Sequence, residues 1–124
     1  SMWAWGAMRV MDYVMTLDCI DKKNVAVIGH SRMGKTAMIA GGFDERFSFV
    51  ISNDSGCGGA AHQRSKKGER LVDISISDWF CGNYYRYNSC EKMLPVDQHM
   101  LLATTNSYLI LFRLLYVSTD PDPA

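Results

Sequence analysis

The segment Gly29-His30-Ser31-Arg32-Met33-Gly34-Lys35-Thr36 gathers a hydroxyl nucleophile and two cations around a pair of glycines. Two chemistries use such a set. Spelled G-x-x-x-x-G-K-[ST], it matches a phosphate loop at every fixed position, with backbone amides cradling phosphates, Lys35 on the terminal phosphates and Thr36 on magnesium. Spelled G-x-S-x-x-G, it is one residue longer than the G-x-S-x-G of a nucleophile elbow, where a serine sits on a strained turn with its hydroxyl exposed. A phosphate loop also needs an acid at the end of a second strand, and Asp54 is placed for that.

The elements that position these residues follow from the flanking pattern. Val25-Ala26-Val27-Ile28 is an apolar run entering a glycine turn, which reads as a buried parallel strand. Thr36 to Ala40 holds helix formers, and Gly41-Gly42 is expected to close that helix as a C-cap. Ser31 then lies beside a helix N-terminus, where orphan N–H groups favour negative charge. Phe47 to Ile51 predicts a second strand ending at Ser52-Asn53-Asp54, followed by the glycine-dense Ser55-Gly56-Cys57-Gly58-Gly59.

Farther out, Trp3 to Leu17 carries apolar residues at helical spacing, with Arg9 and Asp12 toward the other side. His62 to Arg70 reads as a solvated basic loop, and Trp79 to Tyr87 as an aromatic cluster that could stack on sugar rings but is expected for the most part to fill a core. Asp97 to Ala103 predicts a short helix with Asp97 near its start, and the apolar Leu109–Val117 run a last strand over Leu114–Val117. Strands alternating with helices make an α/β sheet with crossover connections, whose ligands bind at the carboxyl edge of the strands.

Composition narrows the classes. The 124 residues suit one domain over 1–124, and 13 basic residues balance 13 acidic ones. No net field therefore draws the chain to nucleic acid or acidic lipid, and no apolar run is long enough to cross a bilayer. No signal-peptide pattern opens the sequence, and the compartment stays open. Cys19, Cys57, Cys81 and Cys90 form no C-x-x-C pair, so free and mostly buried thiols are expected. Without a short-spaced Cys/His pair, neither a metal site nor a cofactor is expected.

Four stretches taken together, in this order, resemble the glucuronoyl esterases, carbohydrate esterases of the α/β-hydrolase fold. They are Gly29-His30-Ser31-Arg32-Met33-Gly34-Lys35, Phe43-Asp44-Glu45-Arg46-Phe47, Asp54-Ser55-Gly56-Cys57-Gly58-Gly59-Ala60-Ala61 and Leu94-Pro95-Val96-Asp97-Gln98-His99. The likeness runs from about Trp3 to Ala103, and the family's elbow has the longer Ser-Arg-x-Gly-Lys spelling. It implies a partial α/β-hydrolase fold, three-layered, with a small and mainly parallel sheet. It also implies cleavage of esters joining lignin alcohols to glucuronic acid groups on xylan. By resemblance Ser31 is the nucleophile, Arg32 supplies an oxyanion-hole amide and a nearby side chain, and Lys35 contacts the glucuronoyl group. Asp54 takes the place of the triad acid, usually Glu, which some members carry after the next strand, here near Asp120. The family's catalytic His comes from a late loop that has no counterpart here, and its equivalent of His99 is structural. From Thr104 to Arg113 the usual Ala-Pro-Arg-Pro run is absent, replaced by Thr104-Thr105-Asn106-Ser107-Tyr108-Leu109-Ile110.

Two alternatives remain: a nucleotide-binding phosphate loop over Gly29–Thr36 and an acetyl xylan esterase-like hydrolase. Against the first, a complete helix precedes the glycine strand and no base-recognition motif follows. A small sheet with an unpaired edge, next to Trp3, Trp5 and the Leu109–Val117 run, also predicts a homo-oligomer.

Overall fold

Small and apolar residues at helical spacing make α1, Met2–Val14. Its buried side is narrower than the expected stripe: Ala4 and Met11 are buried, whereas Trp3, Trp5 and Val10 face solvent. Just beyond its end the Thr16 hydroxyl donates to the Tyr13 carbonyl at 2.7 Å, a local bond that competes with another helical turn. The computed structural model describes residues 2–64, 68–75, 79–105 and 108–112.

Strand β1 (Ala26–His30) leads through one turn residue into α2 (Arg32–Phe43), and β2 (Phe49–Asn53) follows. Short helices α3 (Leu71–Ile74), α4 (Gly82–Tyr85) and α5 (Gln98–Ala103) come next, then β3 (Tyr108–Phe112). The expected strand at Leu114–Val117 lies outside the described residues, and β3 is the strand observed in that region. The strands lie in the order β1-β2-β3 and both pairings are parallel, running from Ala26 opposite Phe49 to His30 opposite Asn53. This is a partial α/β fold with a small parallel sheet.

Helix α2 covers one face of that sheet. Val50 and Ser52 on β2 point into it and are buried, as is Gly29 on β1, while Ala4 and Met11 of α1, Ala40 of α2 and Phe47 beyond α2 form one buried cluster. Gly41-Gly42 does not cap α2 but lies inside it. A Cβ at Gly41 would sit 2.1 Å from Val50 Cγ2, so glycine is needed for the helix to approach the strand. The helix ends instead at Asp44, whose carboxylate takes a two-pronged bond from Arg46, Nε to Oδ1 at 2.8 Å and Nη2 to Oδ2 at 2.6 Å.

A second apolar cluster joins Cys57, Leu71 and Ile74 to Phe80, Tyr84 and Tyr87, in keeping with core filling by the aromatic stretch. The four cysteines are thiols rather than disulfides, but only Cys57 is buried, its Sγ 2.9 Å from Gln63 Oε1; Cys19, Cys81 and Cys90 are exposed, contrary to expectation. Nor is the whole basic stretch solvated, because Arg64 Nε donates to the Leu94 carbonyl at 2.9 Å. Beside that contact Asp97 caps α5, accepting from Gln98 N at 2.7 Å and Gln63 N at 2.9 Å. Burial alone would push the Asp97 carboxyl up. Bonds from the amides of Gln63, Gln98 and Arg64, with His62 alongside, outweigh burial and hold it below the usual carboxylate range.

Candidate active site

The register sets up the site. His30 pairs with Asn53, so the next residues, Ser31 and Asp54, leave the sheet together at its carboxyl edge. Both turn with positive φ, 53° at Ser31 and 51° at Asp54. Aspartate tolerates that region, whereas Ser31 at φ 53°, ψ −120° is outside the ordinary wells. Holding such a conformation costs about 1–3 kcal/mol and requires support from its surroundings.

That support is specific. Ser31 N donates to the Asn53 carbonyl at 2.9 Å, tying the turn to β2. Gly29 lets the first turn of α2 close over β1, because a Cβ there would lie 2.0 Å from the Met33 carbonyl oxygen. Below it a buried hydroxyl pair joins three segments. Ser52 Oγ donates to the Gly34 carbonyl at 3.1 Å and lies 2.8 Å from Ser55 Oγ, which accepts from Ala60 N at 3.0 Å. The Ser31 side chain makes no capping bond to α2, so it does not serve as the usual serine N-cap.

Ser31, Lys35 and Asp54 line one cleft of about 340 Å³ together with Ser55, Gly56, Glu69, Asp73, Ile74 and Trp79. Lys35 Nζ donates to the Ser55 carbonyl, which fixes its charge beside the serine. Arg32 does not line the cleft. Its guanidinium lies 4.9 Å from the Trp79 ring centre, so it meets the cleft through that wall. Asp120 lies outside the described residues. None of the chain's three histidines, His30, His62 and His99, lines the cleft.

Ser52, Glu69 and Asp73 were not singled out from the sequence, where Ser55 was read as part of the glycine-dense loop and Trp79 as part of the aromatic cluster. Glu69 accepts from Cys57 N at 3.0 Å and so shapes the glycine-dense loop. Only Ser52 carried a local signal, a polar residue following an apolar strand on its inward-facing register.

A phosphate loop does not fit this geometry. Gly29 and His30 are in β1 and Arg32 to Thr36 in α2, so Ser31 alone turns the chain and no run of amides remains to cradle phosphates. Thr36 Oγ1 donates to the Arg32 carbonyl at 3.2 Å within the helix.

Comparison with known proteins points the same way. A family model described as glucuronyl esterase, fungi, matches residues 1–112. Carbohydrate esterase MZ0003, from an unknown prokaryotic organism, is 52% identical over 103 residues, covering 82% of this chain and 24% of that protein. A 4-O-methyl-glucuronoyl methylesterase of Neurospora crassa is 35% identical over 115 residues, covering 83% of this chain and 29% of that protein. Among solved structures, a promiscuous CE15 esterase from a marine bacterial metagenome superposes with TM-score 0.82 at 47% identity, over 88% of this chain and 28% of that one. The glucuronoyl esterase catalytic domain from Hypocrea jecorina gives TM-score 0.77 at 31% identity, over 89% of this chain and 34% of that one.

These neighbours are carbohydrate esterases of the α/β-hydrolase type, and the fold described above is a part of theirs. The chain belongs to the glucuronoyl esterase family. It spans between 24% and 29% of the length of the curated relatives named here.

Proposed function

We propose that this chain carries the nucleophile side of a serine carboxylic-ester hydrolase acting on glucuronoyl esters of plant cell-wall polysaccharide. The observation that supports this most is the left-handed Ser31 at the strand edge, sharing one cleft with Lys35 and Asp54. In this reading the turn is a nucleophile elbow. Ser31 Oγ attacks the ester carbonyl, the alcohol leaves, and water then cleaves the glucuronoyl-serine. The oxyanion meets the Arg32 amide at the first helical position, where the helix has no internal partner for it and its positive end adds to the field. Asp54 orients the base that takes the Ser31 proton. Lys35, anchored on the Ser55 carbonyl, presents a fixed cation that suits the oxygen-rich uronate ring better than an acetyl group.

The same reading includes self-association, supported by exposed Trp3, Trp5, Ile28 and Phe43.

Since no histidine lines the cleft, the test supplies the base. With EDTA present, added imidazole should accelerate hydrolysis of a benzyl glucuronate ester, and Ser31→Ala should remove the imidazole-dependent rate by roughly 10³-fold. Glucuronate should shift the backbone NMR signals of Ser31, Lys35 and Asp54, and Lys35→Ala should weaken its binding roughly tenfold. Hydrolysis indifferent to Ser31→Ala, or shifts confined to another surface, would overturn the assignment.

A further inference from the structure

The fold brings together three groups that the cleft does not use. His62 follows the glycine-dense loop, while Asp97 and His99 belong to the start of α5. His62 Nδ1 lies 3.3 Å from Asp97 Oδ2, and the rings of His62 and His99 stack with centres 4.7 Å apart and planes 13° from parallel. One donor atom from each residue falls within 4.8 Å of the other two.

The three groups differ in freedom, and that difference matters. The Asp97 side chain is 1% exposed. Backbone amides of Gln63 and Gln98 hold its Oδ1 at 2.9 and 2.7 Å, and the Arg64 amide holds Oδ2 at 3.2 Å. It is a carboxylate fixed in place before anything binds. His62 and His99 are exposed, so their rings turn without disturbing the core.

We propose that His62, Asp97 and His99 form a binding site for a divalent transition-metal ion of the zinc class, separate from the serine cleft. Two imidazoles and one carboxylate are a borderline donor set that suits Zn²⁺, Co²⁺, Ni²⁺ or Cu²⁺ and is poor for Mg²⁺. The carboxylate cancels one of the ion's two charges, and water fills the remaining position on the exposed side. A tetrahedral ion bound at about 2.1 Å needs donors about 3.4 Å apart, and rotation of the two exposed rings closes the gap from the present spacing. The amides on Asp97 supply the outer-shell support that metal-binding carboxylates require. A bound ion staples the segment after the glycine-dense loop to α5, and so steadies the loop that forms one wall of the serine cleft.

Metal-free chain titrated with ZnCl₂ should take up one equivalent, seen by calorimetry, with a rise in the thermal midpoint. CoCl₂ should give visible ligand-field bands without thiolate charge transfer, which separates this site from the exposed cysteines. His62→Gln and His99→Gln should each weaken Zn²⁺ binding at least roughly tenfold. The thermal midpoints of these metal-free variants should stay at the wild-type value, because both rings are exposed. Absence of saturable Zn²⁺ uptake would overturn the proposal. So would unchanged affinity in both variants, a thiolate band with Co²⁺, or equal uptake of MgCl₂.

Discussion

The two faces of the sheet are built by opposite rules. Toward α2 the chain places glycine and small polar side chains: Gly29 and Gly41 meet the backbone or Val50 so closely that a Cβ at either would collide, and one at Gly34 would press on the Asn53 carbonyl oxygen and Ser55 Cβ at 3.0 Å. Ser52, 2% exposed, bonds into the helix there. On the other face Ile28 is 69% exposed, and Ala26 and His30 face outward beside it. The covered face is where geometry is set to fractions of an ångström, and Ser31 is held by it. The open face contributes strand pairing and a side-chain contact between Asn53 Nδ2 and His30 Nδ1 at 3.0 Å. Substitutions should therefore divide by face, with the effect on Ser31 following closeness to α2 rather than hydrophobicity.

Gly29→Ala should break the arrangement most severely. Its Cβ meets the Met33 carbonyl oxygen at 2.0 Å and Gly34 N at 2.7 Å, both backbone atoms of the first turn of α2. Neither can yield without moving the helix away from β1. Overpacking of this kind costs about 3 kcal/mol or more. Urea denaturation should show a loss of that size, and the NMR signals of Ser31 and Lys35 should shift even where the chain remains folded. A stability unchanged within error would mean that the helix-to-strand approach is looser than described.

A smaller effect belongs to the clasp that closes the covered side. Arg46 holds Asp44 with two prongs, and its Nη1 reaches Asp12 on α1 at 2.8 Å, tying α1 to the end of α2. The hydrogen bonds from Arg46 pull the Asp44 carboxyl below its usual range, and burial pushes against that without offsetting it. Arg46 itself is shifted upward and stays charged throughout. A carboxyl depressed on folding adds stability that is fully present above its unfolded value, near 4, and is lost as pH falls through its folded value. Arg46→Ala should cost about 1–2 kcal/mol at neutral pH, reduced from a fully buried pair because the guanidinium is partly solvated. The gap between wild type and variant should narrow as pH drops below about 4. A gap that stays constant down to strongly acidic pH would assign the loss to packing rather than to the ion pair.

What could be read from the sequence divides along similar lines. Strand, tight turn and helix around Ser31 were legible because each signal is local, an apolar run, a glycine, then helix formers, although α2 begins at Arg32 rather than at Thr36. Asp54 was legible for the same reason, as a turn residue after a second apolar run. Gly41-Gly42 was misread as a cap because its reason lies in space, in the methyl of Val50 across the interface. The last strand was expected at Leu114–Val117 whereas β3 is Tyr108–Phe112, because Arg113 splits the Leu109–Val117 run into two apolar halves and the pattern alone does not choose between them. Glu69, Trp79 and the grouping of His62 with His99 depend on loops whose paths no local pattern sets. Most of the cleft wall was hidden for that reason, although Ser31 was in view.

The open face gives the smallest effect on folding and the clearest contrast. Ile28 points away from α2, so replacing it with lysine removes little buried area and inserts a charge where water already reaches. Ile28→Lys should change the stability of the chain by no more than about 0.5 kcal/mol, the range of ordinary surface substitutions. The effect on association should be larger. If a second copy covers this apolar strip, light scattering coupled to size exclusion should show the wild-type mass rising with concentration and the Ile28→Lys mass staying near 14.0 kDa. A charge on each copy would then face its like across the contact, which disfavours the pair while leaving the monomer intact. Equal masses for both proteins at every concentration would move the contact away from this face, and Trp3 and Trp5 of α1, both about half exposed, would be the next residues to change.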